Sequence, residues 1–213
     1  YPRFQGLFVM FGTGQLITSS DLTNNQIQTV YGVWDKPNYT LTTTRVNLQP
    51  QTLSLVPAAT SGLPQDLLIA TTHAVGWNSK FGWYTDLIAP GQRIITEPQL
   101  INGSFITTIN SPPSTPCGIA SSMFLDINYK TGGAYPNRQL DINNDLMING
   151  SDQYNGENPV GIGLIPGYAS APTSVGPNKS NNMVQLITMS GGQQISVIDL
   201  NNTTRQTGWW QIQ

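Results

Sequence analysis

The segment Val30-Tyr-Gly-Val-Trp-Asp35 is an apolar, aromatic run that ends at an aspartate, and two later segments follow the same plan. They are Ser122-Met-Phe-Leu-Asp126 and Ser196-Val-Ile-Asp199, and both continue into turn-rich sequence. A strand, an aspartate, a turn and a returning aromatic strand, here at Gly208-Trp209, are typical of a β-propeller blade that closes on a tryptophan. The spacing between the segments is wider than one blade of about 40–50 residues. Blades of weaker sequence or long insertions would have to lie between them, and a β-sandwich is the alternative.

The rest of the chain predicts an all-β protein. Asn102-Gly103 is a two-residue hairpin turn between strands at 93–100 and 104–109. Helix signals are weak throughout the chain, and the segment 20–28 predicts a single turn at most. Polar, Pro- and Gly-rich stretches at 40–62 and 153–182 predict surface loops within a single domain, 1–213. Further strands are predicted from period-two and apolar patterns at 6–12, 29–34, 67–71, 82–85, 123–128, 183–189, 195–199 and 209–212.

Charge is scarce in this sequence and excludes several classes of function. Charged residues make up 9% of the chain and the formal net charge is −2, whereas an average soluble domain has roughly 25% charged residues. The nine basic residues are scattered, so no contact with nucleic acid is predicted. No apolar run approaches the length of about 20 residues that a transmembrane helix needs. The single cysteine, Cys117, has no partner within the chain.

One segment, 141–152, matches the spacing of a twelve-residue EF-hand-like calcium loop. Such a loop wraps six to eight hard oxygen ligands around one ion. Three of the eleven acidic residues of the chain fall within it, and their mutual repulsion is offset if a cation binds. The predicted Ca²⁺ ligands are Asp141, Asn143, Asp145, the backbone carbonyl of Met147, Asn149 and Asp152. An Asn- and Asp-rich turn without metal is the alternative.

Two positions of this loop depart from the usual pattern. Leu146 stands where glycine normally provides the positive φ of the bend, and a non-glycine residue there costs about 1–2 kcal/mol. Asp152 stands in place of the usual glutamate and has a shorter side chain, which Glu157 could assist. Weak calcium binding, suited to the millimolar concentrations outside cells, is therefore expected.

No catalytic motif was found. His73 is the only histidine, and the sequence contains neither a nucleophile elbow nor a phosphate-binding loop. A glycosidase needs two facing carboxylates, and nothing in the sequence singles out such a pair. Four of the tryptophans, Trp34, Trp83, Trp209 and Trp210, lie in strand patterns, which favours core packing. We therefore expect a protein that is not an enzyme.

Several short motifs, in order, resemble the C-terminal domain of the PilC/PilY family of type IV pilus tip adhesins. The resemblance covers nearly the whole chain and ends at Gly208-Trp209, although Gln15-Leu16 replaces the basic and aromatic pair usual in the family. The motifs are Phe11-Gly-Thr-Gly14, Ser20-Asp-Leu22, Thr29-Val-Tyr-Gly-Val-Trp-Asp35, Gly82-Trp-Tyr-Thr-Asp-Leu87, Gly91-Gln-Arg93, Thr107-Thr108, Pro116-Cys117 and Leu125-Asp126.

The resemblance implies a modified or partial β-propeller with an inserted calcium loop, as a fragment of a larger protein. It places calcium on the six residues of the loop and ties calcium occupancy to pilus extension and retraction. The implied partners are minor pilins at the pilus tip, with a host-cell or abiotic surface as a further contact. The implied roles are adhesion and twitching motility, and the implied location is the pilus tip, outer surface or periplasm of a Gram-negative bacterium. The alternative is a secreted carbohydrate-binding or carbohydrate-active β-protein with structural calcium.

Overall fold

Strands dominate the computed structural model, which describes residues 6–37, 44–113, 115 and 117–200. The regular elements of this part include one short helix, α1 (Ala58–Ser61), and two 3-10 turns, Ser19–Thr23 and Arg45–Asn47. The strands are β1 (Leu7–Gly12), β2 (Thr29–Asp35), β3 (Gln49–Val56), β4 (Leu67–Ala70), β5 (Gly82–Asp86), β6 (Gln99–Ile101), β7 (Ser104–Ser111), β8 (Ser121–Asn128), β9 (Gly161–Gly163), β10 (Thr173–Pro177), β11 (Met183–Thr188) and β12 (Gln194–Asp199).

These strands form two sheets, which confirms the predicted all-β class. The larger sheet has nine strands in the order β1-β2-β5-β3-β4-β9-β8-β7-β6 and curls into a half-barrel. The smaller sheet consists of β10, β11 and β12, paired antiparallel. None of the helices in the described ranges is long and apolar enough to cross a membrane.

Strand β3 joins two parts of the larger sheet. Its first half pairs in parallel with β5, from Gln49 opposite Trp83 to Thr52 opposite Asp86. Its second half pairs antiparallel with β4, from Leu53 opposite Ala70 onwards. Strands β1, β2, β5 and the first half of β3 thus form a four-stranded unit, the strand number of a propeller blade. This unit runs on into the next strands without a break, so the propeller itself stays a prediction.

Strand β3 also corrects the predicted loop at 40–62, because a strand and α1 occupy most of that stretch. The pattern was obscured by Gln51, a polar side chain that is 3% exposed. Its side-chain amide makes four hydrogen bonds. Nε2 donates to the carbonyls of His73 at 2.7 Å and Thr131 at 2.9 Å. Oε1 accepts from the Thr71 hydroxyl at 2.6 Å and from the His73 N–H at 3.2 Å. The predicted loop at 153–182 likewise contains β9 and β10, so it is only partly irregular.

The predicted hairpin is present, with a shorter first strand. Asn102 and Gly103 have φ values of +50° and +90°, as a type I′ turn requires, and β6 pairs with β7 on either side of them. The first strand begins at Gln99 rather than Arg93. Arg93 is 3% exposed and donates to the backbone carbonyls of Gln15, Asp21, Gly91 and Asn24.

Strands β7 and β8 have apolar cores on both faces. Phe105 and Leu125 face one core, which includes the fully buried Trp83. Ile106 and Phe124 face a second core shared with the three-stranded sheet. The core role predicted for Trp83 is confirmed, and its indole N–H donates to the Tyr129 carbonyl at 2.8 Å. The predicted strand at 209–212 lies outside the described residues.

Candidate calcium site

The segment predicted to bind calcium is tied to the smaller sheet at its first residue. Leu140 pairs with Asp199, the last residue of β12. The Asp141 N–H donates to the Ile198 carbonyl at 3.2 Å. Asp141 itself is 3% exposed. The start of the loop is therefore held by backbone contacts to the smaller sheet.

Two carboxylates of the loop are held by backbone N–H groups. Asp141 accepts from the N–H of Asn144 at 2.7 Å and from that of Leu146 at 2.8 Å. Asp145 accepts from the N–H of Met147 at 2.8 Å. This bond is the main cause that lowers the pKa of Asp145, with smaller effects of the same sign from the amides of Asn143 and Asn149. The side chains of Asp141 and Asp145 are thus held in place by the backbone of the loop itself.

Asp152 closes the loop by accepting hydrogen bonds from one residue near the start of the loop and from another near its end. Its two oxygens accept from the N–H of Ile142 at 3.0 Å and from that of Asn149 at 2.7 Å. The pKa of Asp152 is raised, first by burial and further by repulsion from Asp141 and Asp145, whereas the two N–H bonds lower it. Asp152 therefore experiences the negative charge of both other carboxylates of the loop.

The bend of the loop is made by Leu146. Its φ is +67° and its side chain is 60% exposed. This is the backbone conformation that glycine provides at the sixth position of such loops. The residue type at this position departs from the calcium-loop pattern, whereas the backbone conformation follows it.

The donor set fits calcium in its chemistry, since it consists of carboxylate, amide and carbonyl oxygens. Every carboxylate oxygen that accepts one N–H keeps further lone pairs for a cation. Across the residues that the structure describes, however, no group of three or more acidic, histidine or cysteine side chains is arranged to hold a metal. Calcium binding by this loop therefore stays a prediction.

Two side chains outside the loop hold it in place, and the sequence pointed to neither. Gln65 donates to the Ile142 carbonyl at 3.0 Å and accepts from the Asn144 amide at 3.3 Å. Asn178 donates to the Leu146 carbonyl at 3.0 Å, directly at the bend. Both contacts join positions far apart in the chain, which is why no local motif reveals them.

Glu157, which could assist Asp152, lies in a tight turn that follows the loop. Its backbone exchanges hydrogen bonds with Tyr154 at 2.9 and 3.0 Å, and its side chain is exposed. Glu157 and His73 both line a cleft of about 420 Å³. Of the residues lining this cleft, Glu157 alone has a carboxylate, so the cleft lacks the carboxylate pair of a glycosidase.

A row of aromatic side chains crosses three strands on the surface of the larger sheet. Phe11 stacks on Tyr31, with ring centres 5.3 Å apart, and Tyr31 lies 6.3 Å from Tyr84. The guanidinium of Arg45 lies 4.0 Å from the centre of the Tyr84 ring and forms an ion pair with Asp86. Phe11 is 42% exposed. We call Phe11, Tyr31, Tyr84 and Arg45 the aromatic row.

Comparison with known proteins confirms the resemblance found in the motifs. No family model matches the sequence. Two proteins of Xylella fastidiosa, each described as a type IV pilus biogenesis factor PilY1 homolog, are similar to it. One is 29% identical over 187 residues, which are 84% of this chain and 14% of that protein. The other is 30% identical over 136 residues, which are 61% of this chain and 9% of that protein.

The fold matches a solved structure as well. The C-terminal domain of PilY1 from Pseudomonas aeruginosa aligns with 93% of this chain and 42% of its own length, at a TM-score of 0.73 and 22% identity. The chain thus spans less than half of that domain and at most 14% of the two curated relatives.

Proposed function

We propose that this chain, which is homologous to PilY1 proteins, is a calcium-binding, non-enzymatic part of a type IV pilus biogenesis protein. It acts at the pilus tip, outer surface or periplasm of a Gram-negative bacterium, where its partners are minor pilins. It takes part in pilus extension and retraction, adhesion to a host-cell or abiotic surface and twitching motility. Its fold is part of a modified β-propeller.

The calcium role is supported by the hydrogen bonds that connect the loop to the smaller sheet. Asp141 is joined to β12 through Ile198, and the bend at Leu146 is joined to Asn178. Asn178 also accepts from the N–H groups of Ser180 and Asn182, both at 2.9 Å, in the turn between β10 and β11. A change at the bend can therefore pass through one side chain to the turn of the smaller sheet.

Calcium would act on this connection by charge. Asp152 is buried and repelled by Asp141 and Asp145. A divalent cation among the three carboxylates offsets that repulsion and fixes the bend. A minor pilin that prefers the fixed form of the β10–β11 turn would then bind more tightly when calcium is present.

Calcium calorimetry of this chain, at up to millimolar calcium, tests the proposal directly. We expect binding that is lost in Asp145→Ala and kept in Asp35→Ala, a matched change at an exposed aspartate outside the loop. A wild-type chain with neither heat nor thermal shift would refute the calcium role. In the bacterium that carries the gene, Asp145→Ala should alter piliation or twitching at some calcium level. Loss of calcium binding with unchanged piliation and motility at all calcium levels would refute the regulatory role.

A second candidate function is carbohydrate binding, and the aromatic row favours it. Neighbouring aromatic rings that are exposed, as Phe11 is, or partly buried, as Tyr31 and Tyr84 are, can stack on apolar faces of sugars. Arg45 and Asp86 at the end of the row can hydrogen-bond hydroxyl groups. A glycan array with the wild type and Tyr31→Ala would decide. Binding that disappears in Tyr31→Ala would support this candidate, and no binding by the wild type would rule it out.

A further inference from the structure

Two aspartates from different sheets meet in the interior. Asp126 lies within β8 of the nine-stranded sheet and is 0% exposed. Asp199 is the last residue of β12 in the three-stranded sheet and is 3% exposed. The two carboxyl groups are within hydrogen-bond contact of each other. They belong neither to the calcium loop nor to the aromatic row.

The pair lacks the partners that buried carboxylates normally have. Within the described structure, neither oxygen of Asp126 nor Oδ1 of Asp199 receives a hydrogen bond from an N–H or O–H group that meets ordinary geometry. A buried carboxylate without donors is unfavourable, because nothing replaces the water that solvates its charge. Two such groups in contact would repel each other as well.

The groups around the pair are neutral polar side chains. Ser104 on β7 approaches Asp126, and the Ser104 hydroxyl lies 3.0 Å from the Tyr135 hydroxyl. Gln185 on β11 donates to Oδ2 of Asp199 at 3.5 Å. Among the described residues, the remaining titratable neighbour is Tyr135, from the segment after β8. Burial raises its pKa first, and the charges of Asp126 and Asp199 raise it further.

We propose that Asp126 and Asp199 share a proton and together form a latch between the two sheets, which loosens when the proton is lost. The proton lets one carboxyl donate to the other, which supplies the missing hydrogen bond and leaves one negative charge instead of two.

The direction of the pH dependence follows from the same geometry. Burial raises the pKa of Asp126 to about 6 and raises that of Asp199 well above its ordinary value. Because the folded state holds protons more tightly than the unfolded state, the stabilisation is complete below about pH 4. It decreases as the pH rises through about 6, the pKa of Asp126. Below that pH both carboxyls are protonated, and above it the pair shares the one remaining proton. The decrease continues as Asp199 titrates, and there the shared proton is lost and the latch loosens.

Chemical unfolding of this chain between pH 4 and 9, with a calcium chelator present, tests the latch independently of the calcium role. The unfolding equilibrium constant of the wild type should rise up to about tenfold per pH unit for each proton released. The double variant Asp126→Asn/Asp199→Asn keeps the shapes of both side chains and removes both titrating groups, so the part of the rise that comes from the pair should disappear. Asp35→Asn, at an exposed site, should keep the wild-type profile.

Further measurements keep the proposal open to refutation if the double variant does not fold. Carboxyl NMR of the wild type should show Asp126 and Asp199, in addition to Asp152, titrating above the ordinary range, and each single variant should remove the signal of its own aspartate. Two ordinary titrations, or equal pH profiles for the wild type and the folded double variant, would overturn the latch. So would a metal ion that stabilises the wild type at alkaline pH but not the double variant, because the pair would then be a cation site.

Discussion

Gly132 lies directly against the indole ring of Trp83. A Cβ atom at Gly132 would be 2.1 Å from Cε3 of that ring, and the φ of Gly132 is +71°. Trp83 is fully buried and bonded to Tyr129, so the ring has little freedom to withdraw. This contact sets how closely the turn after β8 approaches β5.

Gly132→Ala should therefore be strongly destabilising. We expect the free energy of unfolding to fall by about 3 kcal/mol, as the sum of about 1–2 kcal/mol for the positive φ and about 1–3 kcal/mol for overpacking. Gly156→Ala is the matched control, because its φ is +82° and no atom lies within 4 Å of the added Cβ. Urea unfolding should show a loss of only about 1–2 kcal/mol for the control. Equal losses would mean that the ring moves aside easily.

Leu146→Gly should stabilise the calcium loop. Removing the positive-φ cost of about 1–2 kcal/mol outweighs the extra chain entropy of glycine, about 0.5–1 kcal/mol. We expect a gain in the free energy of unfolding of up to about 1 kcal/mol and tighter calcium binding by calorimetry. Met147→Gly, at the next exposed residue and not at positive φ, should instead lose stability. If both variants lose stability alike, Leu146 is not strained.

Asn178→Ala should separate calcium binding from its effect on the smaller sheet. The variant keeps every predicted ligand but loses the bond to the Leu146 carbonyl. We expect calcium still to bind, whereas calcium-dependent protection of the β10–β11 turn from hydrogen exchange should disappear. Ser180→Ala, in the same turn but without that contact, should keep the protection. Protection that persists in Asn178→Ala would mean that the effect travels by another route.

Asp21→Asn should lower stability most at neutral pH. Asp21 accepts from the side-chain amide of Gln15 at 2.8 Å and from the N–H groups of Thr18 at 2.8 Å and Ile17 at 2.9 Å. These bonds, with that of Gln15 first, hold the pKa of Asp21 well below its usual range. Such a group stabilises the fold above its unfolded pKa of about 3.9, and the contribution is lost as the pH falls towards the folded pKa. Denaturant unfolding at pH 7, 5 and 3 should show a wild-type advantage that shrinks only at the lowest pH.

The strands that sequence reasoning found are those with local signals. Asn102-Gly103 predicted a hairpin because a type I′ turn needs positive φ at both positions. Strand β3 was missed because Gln51 occupies a core position and Pro50 interrupts the pattern, although Leu53 and Leu55 do alternate with polar residues. A buried glutamine satisfied by four bonds to distant residues has no local signature.

The calcium loop and the buried aspartates also show that local features can be predicted from the sequence, whereas contacts between distant residues cannot. The spacing from Asp141 to Asp152 indicated a bend at Leu146, and the bend is there. The repeated pattern of a strand followed by an aspartate predicted that Asp126 and Asp199 lie where a strand ends and a turn begins. In the structure Asp126 lies inside β8 and meets Asp199 across two sheets. Which side chains face each other depends on sheet packing, and no spacing within one segment encodes it.

Strand β3 has a mechanical consequence. Hydrogen bonds in a sheet run across the strands, and β3 is bonded to β5 along its first half and to β4 along its second half. Tension along β3 would load these two sets of bonds in shear at the same time, so they would have to break together rather than unzip one by one. A pulling force that enters through this strand would thus be resisted by both sets of bonds at once.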